Sequence, residues 1–556
     1  MRVLSNFESS PILIENRVGR GERLVVLVSC AAASLTATAW SWHHRAMLNY
    51  GDAVAHLHIA RRVIDSHRPG LSQLGSVWLP LPHLLMIPFV AVYAWWANGL
   101  AGLIPSSLAW LAACYGLYIL MRRWLKPAPS AIALAFFALN PNLIYLQTTA
   151  MTEPLFVCEM VWTALGLVEW RASIDNANAA TRSARLLWLI ALVLVAAVFT
   201  RYDGWIMGLL AWTAIGIVLL RRGRLKSRAF WLASSLVVAA PIVWFAYNAF
   251  VFGDWLAFAR GPYSAMAIEL RTATPGSGPP HPGWHNPWTS LLFFMKAAEM
   301  DAAALAQGNV LLILSTLGVA WAWMIARRRA FAWTLLLWLP IPFYAYSVSF
   351  GSVPIFLPVW WPHSYYNTRY GLELLPAFAL GIGFAAGVVL AAVREFSPKL
   401  RPVAAALMMA LVALNTFAML REHPIVYVEG TRNIAARQFF ERDIPPALRS
   451  LLVGTPGAPV LMNSSVYPQV VAFSGIPLRQ TINEGDQALY TDALAAPAEH
   501  AAVVLAFTGD EIDRAVLAHP AGLRRVGRFT APGLPAGTLY VSDTWHAQSS
   551  GTATAR

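Results

Sequence analysis

Carboxylates are scarce in this sequence, and four of them lie at or near the ends of apolar segments. They are Asp52, Glu153, Asp203 and Glu373. An ionisable side chain at the edge of a membrane costs little when it faces water, but it indicates a functional site when it faces a cavity or a helix bundle. These four positions are therefore the first candidates for acid–base chemistry.

Asp52 opens the segment 51–65, and His56 follows it one helical turn later. At this spacing the two side chains share one face of a helix, so we expect an amphipathic helix that lies on the membrane. Asp52 and His56 could act as a base and its orienting partner, or both could bind a metal. The simpler alternative is a helix N-terminal charge beside a solvated histidine, since acidic residues favour that end of a helix.

Two more acidic residues start apolar segments. Glu153 precedes Pro154, an arrangement that is common at helix N-termini and needs no functional explanation. Asp203 lies two residues after Arg201 in a tight turn, where the two side chains could simply pair with each other. The functional interpretation makes Glu153 a second acidic site and makes Arg201 and Asp203 substrate-binding residues.

The segment 361–376 brings further polar side chains to the start of a late apolar segment. They are His363, Tyr366, Arg369 and Tyr370. The usual charge bias of membrane proteins discourages an arginine on the outer side. Binding of an anion would compensate, because a guanidinium group matches a phosphate with two parallel hydrogen bonds. The alternative is an arginine whose charged end reaches the interface beside tyrosines.

The composition indicates that the chain lies in a membrane. Of 556 residues, 57% are hydrophobic and only 12% are charged, whereas about a quarter of the residues of a soluble protein are charged. The net charge of +13 would suggest nucleic acid in a soluble chain. Here the basic residues lie in short clusters between apolar segments, where they fix orientation. The sequence therefore predicts the lipid bilayer, and no nucleic acid, as a partner.

Eleven apolar segments approach the roughly 20 residues that a helix needs to cross a bilayer. They are about 24–42, 104–121, 129–148, 154–170, 186–200, 204–220, 229–250, 307–326, 331–350, 370–393 and 402–421. The basic clusters that alternate between them are at 17–23, 122–126, 171–185, 221–228, 327–329 and 394–401. This alternation places the N-terminus in the cytoplasm and the chain after residue 421 outside. Residues 79–103 are also apolar, but their prolines and glycines favour a re-entrant or interfacial segment.

The sequence thus predicts an α-helical polytopic membrane protein with about 11 transmembrane helices and a C-terminal soluble α/β domain. The expected domains are a cytoplasmic N-terminus (1–23), a transmembrane domain (24–421) with outer loops 43–103, 252–306 and 351–369, and an extracytoplasmic domain (422–556). In the last domain we expect strands at 459–463, 470–473, 501–507 and 538–541, and helices at 432–442 and 511–519. The Pro/Gly-rich segment 272–288 is typical of a mobile flap.

The arrangement of these features resembles the GT-C superfamily of membrane glycosyltransferases. It comprises an acid in the first outer loop, a second acid in the next outer loop, a late outer arginine and an outside domain. The branch of protein O-mannosyltransferases and lipid A aminoarabinose transferases is the most similar. The segments that carry the resemblance are 50–56, 79–83, 140–142, 151–156 and 367–371. Two positions depart from it: Ala53 follows Asp52 where protein O-mannosyltransferases have an Asp-Glu pair, and Val54 replaces the second acid of the oligosaccharyltransferase Asp-x-Asp.

The resemblance implies a glycosyltransferase that moves a sugar, with inversion, from a polyprenyl-phosphate-linked donor to a glycan, lipid or protein acceptor on the outer face of a bacterial-type inner or plasma membrane. It makes Asp52 the general base and Glu153 the second catalytic residue. It also implies substrate-binding roles for His56, Arg201, Asp203, His363, Tyr366, Arg369 and Tyr370, with Arg369 and Arg201 neutralising the departing lipid phosphate. The sequence defines no cofactor, and a divalent metal is compatible with it without being required.

Two functions from other classes fit a polytopic membrane protein as well. One is a secondary transporter of an envelope precursor, and the other is a non-catalytic envelope scaffold. Transporters typically have repeated halves and polar sites near the membrane midplane. This sequence has no internal repeat, and its candidate acids lie at the outer ends of predicted spans.

Overall fold

The computed structural model describes residues 18–174, 180–272, 279–325, 331–453, 455–465, 467–543 and 545. The predictions for Arg17, for the basic cluster 327–329 and for residues 273–278 of the expected flap lie outside these residues. The chain divides into two compact units. The first unit comprises residues 1–44, 76–82 and 105–429, and the second comprises 45–75, 83–104 and 430–556. These units reflect compactness and not membrane side, so the boundaries 1–23, 24–421 and 422–556 stay a prediction.

Helices account for most of the described residues. They are α1 (Arg20–His43), α2 (Gly51–Arg62), α3 (Leu81–Val90), α4 (Tyr93–Asn98), α5 (Leu100–Met121), α6 (Pro127–Ala138), α7 (Pro141–Leu146), α8 (Glu153–Ser173), α9 (Ala180–Thr200), α10 (Asp203–Arg221), α11 (Arg228–Phe252), α12 (Ala257–Arg260), α13 (Ala265–Thr272), α14 (Pro287–Ala302), α15 (Leu305–Ile325), α16 (Pro340–Phe350), α17 (Leu375–Phe396), α18 (Arg401–Arg421), α19 (Ile425–Leu452), α20 (Pro468–Ser474), α21 (Ala488–Ala495), α22 (Pro497–His500) and α23 (Glu511–Ala518). Two 3₁₀-helices, Phe331–Trp338 and Thr368–Leu374, lead into α16 and α17.

Within the described ranges, nine helical stretches are long and apolar enough to cross a membrane, and each overlaps a predicted span. They are Arg20–His43, Leu100–Met121, Ala180–Thr200, Asp203–Arg221, Arg228–Phe252, Leu305–Met324, Phe331–Phe350, Thr368–Phe396 and Pro398–Ala435. The predicted class, a polytopic helical membrane protein with a small sheet in its C-terminal part, is therefore confirmed.

The other two predicted spans differ for physical reasons. The segment 129–148 breaks in two, because the side chain of Asn140 accepts hydrogen bonds from the backbone amides of Asn142 and Leu143 and so starts a new helix. At 12 residues, α6 is only about 18 Å long. The segment 154–170 forms the 21-residue helix α8, which carries three glutamates and an arginine. Most of its side chains are buried, and protein contacts make charges tolerable there.

Residues 79–103 form no helix of spanning length. They contain α3 and α4, which have 10 and 6 residues, and the start of α5. The backbone is left-handed at Gly99, which ends α4. Both short helices fall well below the roughly 20 residues that a crossing requires, as the Pro/Gly content predicts.

Helices α15 and α17 of the first unit approach each other at two glycines. A Cβ atom on Gly318 would collide with the carbonyl oxygen of Gly381 and lie 2.8 Å from the amide nitrogen of Ala385. A Cβ on Gly381 would lie 2.5 Å from Ser315 Oγ. Small residues allow such close backbone approach between membrane helices.

We expect Gly318→Ala to lower the free energy of unfolding by about 1–3 kcal/mol, because the backbone of α17 has no room to yield. Denaturant titration in mixed micelles measures this change. The matched control is Gly216→Ala on α10, whose Cβ would make an ordinary 3.5 Å contact with Phe230. Equal stability of the two variants would contradict the predicted close packing.

The second unit contains a five-stranded sheet. Its strands are β1 (Val460–Met462), β2 (Thr481–Ile482), β3 (Val503–Phe507), β4 (Leu523–Phe529) and β5 (Gly537–Ser542). The strand order is β2-β1-β3-β5-β4, in which β1 is parallel to β2 and β3 whereas β5 is antiparallel to β3 and β4. Leu461, Val504 and Ala506 of the sheet share a buried core with Ile512 and Val516 of α23.

One predicted strand is wrong. Residues 470–473 lie inside helix α20, where Val470, Val471 and Ala472 are buried. Periodicity alone does not distinguish a short buried helix from a short buried strand. Pro468 occupies the first turn of α20, where the fixed backbone angle of proline favours a helix. The sequence analysis missed the strands β2 and β4.

Candidate functional site

The nine candidate residues fall into two groups. Asp52 and His56 belong to the second unit, and Glu153, Arg201, Asp203, His363, Tyr366, Arg369 and Tyr370 belong to the first.

Arg201 is the centre of the polar group in the first unit. Its Nε donates to Asp203 Oδ2 at 3.1 Å, and its Nη1 lies 3.4 Å from Glu153 Oε1. Its Nη2 donates to the hydroxyl of Tyr344 at 2.6 Å and lies 3.2 Å from Glu373 Oε1. The Tyr344 hydroxyl in turn donates to Glu373 Oε1 at 2.7 Å. The Arg201–Asp203 pair that the sequence suggested thus forms, within a larger set of contacts.

Arg369 extends this group through Glu153. Its Nε donates to Glu153 Oε1 at 3.0 Å, and its Nη1 donates to Glu429 Oε1 at 2.9 Å. Glu429 also accepts from the backbone amides of Asn367 and Thr368, at 3.0 and 2.9 Å. Glu429 therefore holds the turn that precedes Arg369 as well as its side chain.

These contacts define an arginine–carboxylate cluster, whose members are Glu153, Arg201, Asp203, Tyr344, Arg369, Glu373 and Glu429. Sequence reasoning missed Tyr344 and Glu429. No sequence pattern distinguishes Tyr344 from the other residues of its apolar segment. Glu429 lies in the region 422–556, which the sequence assigned to the extracytoplasmic domain. Tyr370 joins the cluster through its ring, which lies 5.2 Å from the guanidinium carbons of both Arg201 and Arg369. Such contacts between a cation and an aromatic face are attractive.

Helix ends position two of the carboxylates. Glu153 and Asp203 are the first residues of α8 and α10. The unpaired amides of a helix N-terminus carry a partial positive charge, which favours a carboxylate there. Pro154 supports the same geometry at Glu153, because proline is well accommodated in the first turn. The helix-start interpretation of Glu153 therefore agrees with the structure, and Asp203 occupies the same kind of position; the contacts of both residues in the cluster add to this.

The cluster is buried and contains more acids than bases. The four carboxylates have side-chain exposures of 0–3%, and those of Arg201 and Arg369 are 14% and 5%. Burial lowers the pKa of Arg201, but Asp203 and its other acidic neighbours raise it well above the ordinary value. Nearby, burial and then the charge of Glu429 raise the pKa of Asp301. Both guanidinium groups are thus already bound to carboxylates.

His363 and Tyr366 lie elsewhere on the segment 351–369. His363 is exposed, and its Nδ1 lies 3.0 Å from the carbonyl oxygen of Pro358. Tyr366 is 45% exposed, and its backbone pairs with that of Phe356. Neither of these contacts belongs to the arginine–carboxylate cluster.

In the second unit, Asp52 is half-buried in the first turn of α2. His56 is buried, and its Nδ1 lies 2.8 Å from Nε2 of His83, which is also buried. The alternative of a solvated histidine is therefore wrong for His56. One of these two nitrogens carries a hydrogen and donates a hydrogen bond, and the other accepts it through its lone pair. The accepting ring is therefore neutral.

In the part of the chain that the structure describes, no three His, Cys, Asp or Glu side chains converge in a way that would hold a metal ion.

No protein-family model and no curated protein matches this sequence. In fold, the chain is similar to the crystal structure of ArnT from Cupriavidus metallidurans in the apo state, with a TM-score of 0.55 and 14% identity. The structure of ArnT bound to undecaprenyl phosphate gives a TM-score of 0.54 and 13% identity. Both matches cover 92% of this chain and 97% of ArnT. These likenesses confirm, for the fold alone, the predicted resemblance to lipid A aminoarabinose transferases.

Proposed function

We propose that this protein is a membrane-embedded glycosyltransferase that moves a sugar, with inversion, from a polyprenyl-phosphate-linked donor to an acceptor. The observation that carries the proposal is the fold likeness to ArnT, which extends over 92% of this chain and includes a structure bound to undecaprenyl phosphate. The proposed site is on the outer face of a bacterial-type inner or plasma membrane, with the N-terminus in the cytoplasm.

Asp52 is the proposed general base. The acceptor hydroxyl oxygen forms a bond to the anomeric carbon while its proton passes to the Asp52 carboxylate. The bond from that carbon to the phosphate oxygen breaks, and its electron pair stays on the polyprenyl phosphate. The position of Asp52 in the first turn of α2 supports this role, because acidic side chains are favoured at a helix N-terminus. A buried His56–His83 pair one turn later fixes the same face of the helix.

The arginine–carboxylate cluster suggests how Glu153 takes part. Arg201 and Arg369 both approach Glu153 Oε1, so this carboxylate is held in one orientation. We therefore assign Glu153 a positioning role for the substrate. A lipid phosphate that took the Nε or Nη1 donors of Arg369 would compete with Glu153 and Glu429, because these two carboxylates already accept from those nitrogens. The exposed His363 and Tyr366 are the proposed contacts to the acceptor.

Sugar release tests the proposal directly. Full-length purified protein in lipid vesicles is given a panel of radiolabelled polyprenyl-phosphate sugars with envelope extract as the acceptor source. The comparison is between wild type, Asp52→Asn and the control Arg442→Ala, which removes an exposed pair with Asp443 and a contact with the ring of Phe439. Consumption of one donor by wild type and the control, but not by Asp52→Asn, supports the proposal. If wild type consumes no donor, the assigned activity is wrong, and uptake of label into sealed vesicles would favour a transporter.

A further inference from the structure

The helix that carries Asp52 begins without a cap of its own. Its N-cap residue, Tyr50, makes no side-chain hydrogen bond to the first turn. The amide of Gly51 instead donates to Asn433 Oδ1 at 3.0 Å, a side chain that lies 382 positions later in the chain. The first amides of a helix need such external acceptors, since they have no partner within the helix.

Arg437, one helical turn after Asn433 on α19, fixes the chain just before Asp52. Its Nη2 donates to the carbonyl oxygens of Leu48 and Asn49, at 2.9 and 3.0 Å. Its Nη1 donates to Glu441 at 3.0 Å, and the Arg437 side chain is only 11% exposed. Two side chains of α19, one helical turn apart, therefore hold the backbone at residues 48, 49 and 51, just before Asp52.

Charge also links Arg437 to Asp52. Burial lowers the pKa of Arg437, and the negative charges of Glu441 and then Asp52 oppose that effect. The Arg437 guanidinium therefore interacts favourably with Asp52 as well as with Glu441.

We propose that Asn433 and Arg437 are positioning residues for Asp52, which they orient through the backbone at residues 48, 49 and 51. This inference rests on the proposed function of Asp52 as the base. It gives the C-terminal region a part in the reaction itself, separate from any role in acceptor binding. Other contacts hold the far end of α2: His58 lies 3.1 Å from Ser464 Oγ, and Asp65 accepts from the Leu478 amide at 3.2 Å. Asn433 and Arg437 are thus specific to the end that carries Asp52.

The test compares Asn433→Ala and Arg437→Ala with Arg442→Ala in full-length protein in lipid vesicles. Arg442 is on the same helix, where it pairs with the exposed Asp443 and lies over the ring of Phe439. Hydrogen exchange of the peptide that contains Gly51 reports on the local backbone. Steady-state kinetics with the donor that wild type consumes from the panel separates kcat from KM.

We expect both alanine variants to speed exchange of the Gly51 peptide about tenfold, because a bond that holds this backbone is lost. We also expect kcat to fall about 10–100-fold while the donor KM changes less than about twofold, since misplacing a base affects the chemical step and not ground-state binding. Asn433→Asp keeps an acceptor for the Gly51 amide and is expected to keep its protection. If Arg437→Ala does not fold, Arg437→Lys is the substitute, because it keeps the charge but has one donor nitrogen where arginine uses two; it is expected to show smaller changes in the same direction.

Unchanged exchange in both alanine variants would overturn the inference, whatever the activity. Faster exchange with an unchanged kcat would overturn it as well, because the contacts would then be purely structural. An increase confined to the donor KM would also contradict the positioning role, because it would assign Asn433 and Arg437 to donor binding. Failure of wild type with every donor would refute the proposed activity, while the exchange data would still decide whether these side chains hold the start of α2.

Discussion

Replacement of Asp52 by asparagine is expected to lower kcat for sugar transfer by about 10²–10⁴-fold, the range that a positioned general base contributes. The amide has nearly the shape of the carboxylate, so packing around the start of α2 is preserved. Unlike the carboxylate, however, the amide of asparagine cannot take the proton of the acceptor hydroxyl. Single-turnover transfer from the identified donor, with donor binding measured separately, isolates this effect on the chemical step.

Asp443→Asn is the matched control, because Asp443 is exposed and pairs with Arg442 on the outer face of α19. It is expected to retain wild-type kcat. Donor affinity is expected to be the same in Asp52→Asn as in wild type, since the base acts on the acceptor. A normal kcat in Asp52→Asn would remove the role of Asp52 as base, and a loss of donor binding would assign it to the donor site.

The second large expected effect is a loss of free energy of unfolding when Arg369 is replaced. Arg369→Met removes the cation between Glu153 and Glu429, whose side chains are 1% and 3% exposed. Removal of one partner from a buried ion pair leaves an uncompensated charge and typically costs about 3–5 kcal/mol. We therefore expect a loss of this size in the free energy of unfolding, measured by denaturant titration in mixed micelles.

The double variant Arg369→Met/Glu429→Gln distinguishes this cause from simple loss of packing. Glutamine removes the charge of Glu429 while it keeps an oxygen that can accept from the amides of Asn367 and Thr368. We expect the double variant to recover part of the stability that Arg369→Met loses, because neighbouring sites in one network are not additive. A double variant that is less stable than the single one would show that charge is not the cause.

Prediction from sequence succeeded where the determining physics is local. Hydropathy over about 20 residues decides whether a helix can span a bilayer, and nine of the predicted spans overlap stretches of the described chain that meet this requirement. It failed where a single side chain redirects the backbone, as Asn140 does when it caps α7 inside the segment 129–148. It failed again at 470–473, where an apolar run fits a helix and a strand equally well.

The candidate site divides in the same way. Three local placements follow from neighbours within a few residues of sequence. They are Asp52 in the first turn of a helix, Glu153 at the start of α8 and Arg201 beside Asp203. Their chemical types and these short spacings were enough to select them. The sequence by itself therefore determined that this is a polytopic helical membrane protein with acidic residues at the helix starts.

Only the tertiary structure decided which distant side chains those residues contact. Arg369 meets Glu153 across 216 positions of sequence, and Asn433 caps the Asp52 helix across 382. Glu429, in the region assigned to the tail, shares Arg369 with Glu153. Such pairings depend on how helices pack against one another, and packing is fixed by the sum of many weak contacts that no local sequence pattern encodes.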